Sequence, residues 1–238
     1  MIVLSIDSAS KVATAALLDE NNLIAEYTIN NKLEHSTLIM DMVDKILKDS
    51  NLDIDDVDGF VVSKGPGSFT GLRIGMATVK GLSFGSNKPY ISVSSLDALA
   101  YSLVNFNGII CPIMDALRSS VYTCLYKGNN GTLEKISDYS ALELDELIEL
   151  LKEKGEDVIF TGDAVNKHKD YLLQHLPNSN FAPNHLSIIR ASSLGELGIK
   201  MLLNNEHDDL NSSPFYLKKP QAQRELEKRL ALKNENNL

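Results

Sequence analysis

Two aspartates and one glycine-rich turn hold most of the chemistry this sequence can offer. Asp7 closes the apolar run 2–6, and Asp115 closes a second apolar run, 109–114. A carboxylate at the end of a buried strand is suited to holding a hard divalent cation. Asp7, Ser8 and Ser10 on one turn, with Asp115 on the other, are therefore the candidate nucleotide or metal residues. The third feature is Gly65-Pro66-Gly67-Ser68-Phe69-Thr70-Gly71, whose backbone must come close to something. No Gly-Lys-Ser/Thr follows it at the spacing of a phosphate-binding Walker loop. Ser68 also lacks the flanking glycines of a nucleophile elbow, so its role is to cap the helix that follows, with an anion on that N-terminus as the functional variant. The five histidines form no His-x-x-x-His pair. His168 and His175 can share a helix face, but no third ligand lies near them in sequence, and no metal site is expected. Cys111, inside the apolar run, reads as a buried free thiol, and Cys124 completes no Cys-x-x-Cys pair.

The elements that position these residues follow from hydrophobic period. Strand-like runs at 2–6, 12–18 and 23–29 are joined by short polar turns, and a helix follows from Ser36. Next come a strand at 59–63, the glycine-rich turn, a helix from about Thr70 or Gly71, a strand at 90–93 and a helix capped near Ser94 or Ser95. The second half repeats this order. Its strands fall at 109–114, 120–126 and 132–136, then a helix over 142–154, a strand at 158–161, a helix at 164–175, a weak strand at 186–189 and a helix capped by Ser192 or Ser193. Both halves thus read β-β-β-α-β-α-β-α, an internal duplication. The expected division is an N-terminal lobe at 1–104, a C-terminal lobe at 105–213, and an extended segment with a charged helix at 214–238 packing across both.

The formal charge is −9, from 23 basic and 32 acidic residues. Phosphate neutralisation supplies most non-specific nucleic-acid affinity, so an acidic chain is expected to meet RNA only through a partner. The N-terminus carries an aspartate and no basic stretch, and no apolar run reaches the ~20 residues needed to span a bilayer. Together with the cysteine usage this predicts a cytoplasmic protein without membrane contact.

Two helices look buried on more than one side. In the helix after His35, Leu38 and Met40 widen an apolar stripe already formed by Ile39, Met42, Val43, Ile46 and Leu47. In the glycine-rich helix, Leu72, Met76, Val79 and Ser83 share one arc. A second arc collects Gly71, Ile74, Gly75, Ala77, Thr78, Gly81, Leu82 and Gly85, with Arg73 and Lys80 between the arcs. Glycine costs about 1 kcal/mol relative to alanine in a helix interior, so small residues at this spacing point to close approach of a second helix.

Paired aspartates on equivalent strand-to-turn junctions of a duplicated α/β chain resemble the actin-like ATPases (the ASKHA, ribonuclease-H-like fold), although Ser8-Ala9-Ser10 stands where that superfamily usually has a glycine. A closer likeness is carried by Gly65-Pro66-Gly67-Ser68-Phe69-Thr70-Gly71-Leu72-Arg73-Ile74-Gly75 with Lys80-Gly81-Leu82, Asp7-Ser8, Glu34-His35-Ser36, Ser94-Ser95-Leu96-Asp97, Asp115-Ala116, Val121-Tyr122 and Pro214-Phe215-Tyr216-Leu217. These resemble the TsaB (YeaZ) family of bacterial tRNA threonylcarbamoyladenosine biosynthesis proteins up to about residue 218. Two departures stand out: Leu117 where the family often has arginine, and Lys218 in place of arginine, which loses the guanidinium's paired donors.

That resemblance implies a duplicated actin-like fold, no cofactor and no catalytic residue of its own. Ser95 and Leu99 stand where the catalytic TsaD-like paralogue has two metal-binding histidines, and a hydroxyl and an isobutyl group cannot replace imidazoles. The implied role is a scaffold docking that paralogue, with a TsaE-like ATPase in the assembly, a homodimer when alone, and tRNA reached only through the complex. The implied interface residues are His35, Leu38, Met42, Gly71, Arg73, Ile74, Gly75, Ala77, Thr78 and Gly81. The alternative is an independent ATP-using transferase or kinase with Asp7 and Asp115 as metal ligands. A metalloprotease has no ligand motif to support it.

Overall fold

The computed structural model describes residues 1–30, 35–116 and 119–218, with only the backbone of 35–37. The charged segment 221–233, Glu34, Leu117 and Arg118 lie outside the described residues. Two sheets carry the fold. The first has strands β1 (Val3–Asp7), β2 (Val12–Leu18), β3 (Leu23–Asn30), β4 (Gly59–Gly65) and β5 (Tyr90–Ser94), in the order β3-β2-β1-β4-β5. β1 runs antiparallel to β2 and parallel to β4. The second contains β6 (Ile109–Asp115), β7 (Ser120–Thr123), β10 (Ser140–Glu143), β11 (Val158–Thr161) and β12 (Asn180–Phe181), in the equivalent order β10-β7-β6-β11-β12. The hairpin β8 (Tyr126–Asn129) and β9 (Thr132–Lys135) is an addition that pairs with β6 at Ile110.

Side-chain alternation sorts residues into three cores. Leu4 and Ile6 point to one face of the first sheet, beneath α1 (His35–Asp49) and α2 (Phe69–Ser86). Ile109, Cys111 and Ile113 point to the outer face of the second, beneath α4 (Leu144–Lys154) and α5 (Val165–His175). Val3 from β1 and Ile110 and Met114 from β6 meet in a shared middle layer with α3 (Ser95–Tyr101) and α6 (Ala191–Leu203). This is the strict period of two of a pleated strand. β1 reads as a continuous apolar run because both its faces are covered.

α6 comes from the second half of the chain yet lies against the first sheet. Its Gly195 and Gly198 face Leu18 and Val61, where a β-carbon would overlap those side chains. Its N-terminus is capped by Glu26 of β3 rather than by Ser192 or Ser193. Glu26 accepts from the Ser192 backbone N–H (3.0 Å) and hydroxyl (2.9 Å), and also pairs with Arg190. The carboxylate thus serves a helix N-terminus and a guanidinium together.

Three expectations need correction. The run 120–126 is not one strand: it breaks at the buried Cys124 and Leu125, so that β7 and β8 both pair with β6 but take β10 and β9 as their second partners. The third strand of the second sheet is β10, which takes the start of the expected helix, while 132–136 supplies the hairpin. The strand expected at 186–189 is a short 3-10 turn, Asn184–Leu186, and the edge position is held by β12, whose Phe181 stacks on Phe160 at 5.7 Å.

Candidate functional site

The glycine-rich stretch packs against the turn that follows β1. Gly65 closes β4 at φ +110°, in the region open to glycine, and the next peptide bond is cis. Ser68 caps α2 by accepting from the Gly71 N–H (3.2 Å), and its own N–H donates to the Ala9 carbonyl (2.6 Å). The Ser8 hydroxyl donates to the Gly71 carbonyl (2.8 Å). A β-carbon at Gly71 would overlap the Ser8 carbonyl oxygen, and one at Gly75 would sit 2.7 Å from Ser8 Oγ. These two glycines therefore serve an internal contact between α2 and the Asp7–Ser10 turn.

The consequence for Asp7 is complete burial. One carboxylate oxygen accepts from the Ser63 hydroxyl and from the Ala9 N–H (3.1 Å), while the other has no partner among the described residues. Burial pushes its pKa up to about 6, against the hydrogen bonds from Ser63, Ala9 and Ser8. Asp115 differs: it is exposed and pairs with Lys167 (3.1 Å), and its backbone N–H donates to Asp163 (3.1 Å). Burial also raises the pKa of Asp163. Ser8 is buried, and the Ser10 hydroxyl accepts from the Val12 N–H (3.1 Å). The two aspartates thus face different surroundings. Among the described residues no three His, Cys, Asp or Glu side chains gather as a metal site, and no helix is long and apolar enough to cross a membrane.

The other face of α2 is open. Arg73, Ala77, Gly81, Phe84 and Gly85 are exposed, Ile74 and Thr78 are half-buried, and among the described residues nothing lies within 4 Å of where a β-carbon at Gly81 or Gly85 would be. Phe84 is 76% exposed. It escapes an arc-based reading although it lies one heptad beyond Ala77. On α1, Met40 is 47% exposed, Leu38 is half-buried, and Met42, at 4%, belongs to the core beneath the helix. His35 opens α1, and its side chain lies outside the described residues. Of the expected interface, Met42, Gly71 and Gly75 are therefore turned inward, and Arg73, Ala77 and Gly81 outward.

A strap over residues 206–218, longer than the extended segment read from residue 214 in the sequence, holds α2 in place. Lys80 donates to the carbonyls of Leu210 (2.7 Å) and Ser212 (2.5 Å), and the Phe215 N–H donates to the Lys64 carbonyl (2.7 Å). Arg73 Nε donates to the Tyr216 hydroxyl (3.2 Å). The Pro-Phe-Tyr-Leu motif is the part that crosses the glycine-rich turn. Beyond it, Phe215 meets Tyr139, whose hydroxyl joins that of Tyr126 on Asp97 of α3 (2.8 and 2.6 Å). Ser95 and Leu99, on the same helix, are both buried, and Ser95 Oγ has no partner among the described residues.

The protein-family model described as TsaD, tRNA N6-adenosine threonylcarbamoyltransferase, matches residues 22–226. A Bacillus subtilis protein named tRNA threonylcarbamoyladenosine biosynthesis protein TsaB is 39% identical over 181 residues, 76% of this chain and 79% of its own length. This chain belongs to the TsaB family. A second TsaB, from Buchnera aphidicola (subsp. Baizongia pistaciae), is 28% identical over 81% of this chain and 90% of its own. The solved structure of YeaZ from Pseudomonas aeruginosa superposes with a TM-score of 0.76 at 21% identity, over 91% of this chain and 99% of that one. The activator of the 2-hydroxyisocaproyl-CoA dehydratase from Clostridium difficile superposes at 0.53 and 11% identity, over 86% and 97%. The fold is the duplicated actin-like α/β fold, with the β8–β9 hairpin inserted in its second half. In this member of the TsaB family, the glycine signature is the contact between α2 and the Asp7–Ser10 turn.

Proposed function

We propose that this chain is a non-catalytic scaffold subunit in the formation of threonylcarbamoyladenosine on tRNA, and that it docks a TsaD-like catalytic paralogue through the outer face of α2. The observation that carries this is the uncovered stripe Ala77, Gly81 and Gly85 with Phe84 projecting beside it. Small residues let a second helix come close, and an exposed aromatic among them is the usual anchor of a buried interface. Arg73, Ile74 and Thr78 line the same face, and Met40 and Leu38 extend it onto α1. The same face serves a homodimer when the paralogue is absent. A TsaE-like ATPase and the tRNA belong to the larger assembly, in the cytoplasm. The lobes divide at about residue 104, the second ends at about 213, and the described part of the segment that follows, 214–218, joins them; 219–238 lie outside the described residues.

The rival reading, an ATP-using transferase or kinase, needs Asp7 to reach a cation. Asp7 is enclosed by Ser8, Ser63 and the first turn of α2, which disfavours that role. The test is co-purification with the TsaD-like paralogue. Ala77→Glu and Gly81→Glu each place a charge on the open stripe, where the described residues leave room for it. They are expected to abolish the complex while the melting temperature stays within about 2 °C of the parent. Survival of the complex in both variants refutes the docking face. Nucleotide turnover by the protein alone supports the rival.

A further inference from the structure

Along the strap, rings and cations alternate from one half of the chain to the other. Arg73 lies over the Phe69 ring at 3.9 Å, and Phe69 packs on Tyr216 at 5.1 Å. Phe215, the next residue along, turns the opposite way to meet Tyr139 edge-on at 5.8 Å, and Lys135 covers Tyr139 at 4.4 Å. Phe215 is 38% exposed, and Arg73 and Lys135 are exposed. In a chain of net charge −9, both cations rest on rings, and among the described residues neither forms an ion pair. Asp97, the carboxylate that Tyr139 touches, is already occupied by the Tyr126 and Tyr139 hydroxyls.

We propose that this run, from Arg73 through Phe69, Tyr216, Phe215 and Tyr139 to Lys135, is a contact surface for single-stranded RNA. Ring faces and a guanidinium plane stack on unpaired bases of any sequence, and cations without carboxylate partners are available to phosphates. An acidic protein is the competing occupant, and the experiment distinguishes it. The cations are few, so the affinity is modest and adds to that of an assembly. The run shares Arg73 with the docking face, so its test variants are placed at Phe215 and Lys135, away from Ala77 and Gly81.

The experiment is fluorescence anisotropy of the purified full chain with a labelled RNA hairpin bearing an unpaired loop, titrated at low salt. Saturable binding is expected, with a log–log salt slope of about −1.4 for two phosphate contacts on a single strand. Phe215→Ala should weaken it by about fivefold or more through lost stacking. Lys135→Ala, on the exposed rim, should reduce the slope by about 0.7. Replacing the exposed Asp138, beside Tyr139 in the chain, should tighten binding in Asp138→Lys. A fully paired duplex should bind less tightly than the hairpin. Absence of saturable binding at low salt overturns the proposal, as does parental affinity in both Phe215→Ala and Lys135→Ala. Competition by an acidic polypeptide with Phe215→Ala unaffected also overturns it, and marks the surface as a site for an acidic protein.

Discussion

Asp7→Asn tests how the glycine-rich helix is seated. In the folded chain burial raises the Asp7 pKa from 3.8 to about 6, whereas the unfolded chain ionises at the ordinary value. The folded state therefore binds the proton more tightly. The contribution of Asp7 to stability is greatest below about pH 4, falls as the pH rises towards about 6, and is level above that. The full difference corresponds to about 3 kcal/mol of destabilisation at neutral pH. Asparagine has the same shape, carries no charge, and keeps an oxygen for the Ser63 hydroxyl and the Ala9 N–H. Its amide nitrogen replaces an oxygen that already has no partner, so little new desolvation is introduced. Urea unfolding of parent and variant at about pH 4 and about pH 7.5 isolates this one group from every other titration. The variant should gain about 2–3 kcal/mol relative to the parent between the two conditions, and be the more stable protein at the higher pH. A stability difference that does not change with pH would refute the reasoning. So would a variant less stable than the parent at neutral pH, since Asp7 would then be a favourably partnered anion, as the metal-ligand reading requires.

Two further outcomes are expected. Glu26→Ala removes both the partner of Arg190 and the cap of α6. Because Arg190 stays one-third exposed and can recover water, the loss should be about 2–4 kcal/mol, seen as a drop of about 6–12 °C in thermal unfolding; a drop below about 2 °C would show the pair to be idle. Cys111 is buried with its thiol pushed up to about 12 by that burial, and burial also raises Cys124. Neither should react with a disulfide reagent at about pH 8 until denaturant is added, and rapid labelling of the native chain would contradict the assigned core.

Hydrophobic period and turn chemistry, read along the sequence, determined the succession of strands and helices in the first half, the duplication, the Ser68 cap and the family signature. These rest on local rules: alternation for strands, a hydroxyl before a helix, glycines where backbones meet. What the glycines meet was a matter for the tertiary structure. Leu72 and Gly71 are neighbours in the sequence, yet one faces the sheet and the other the Ser8 carbonyl. Sequence alone also placed Asp7 and Asp115 on equal footing, because both end a first strand; only packing buried one under α2 and left the other beside Lys167. The contact of Glu26 with Ser192 spans 166 positions, and the strap reaches α2 from more than a hundred residues away. Period reports which face of an element is apolar, not which distant element covers it, so these contacts had no local trace. The sequence already marked Ala77 and Gly81 as small residues on one arc, but only the packing of α2 separated them, with the exposed Phe84, from Gly71 and Gly75, which are turned inward.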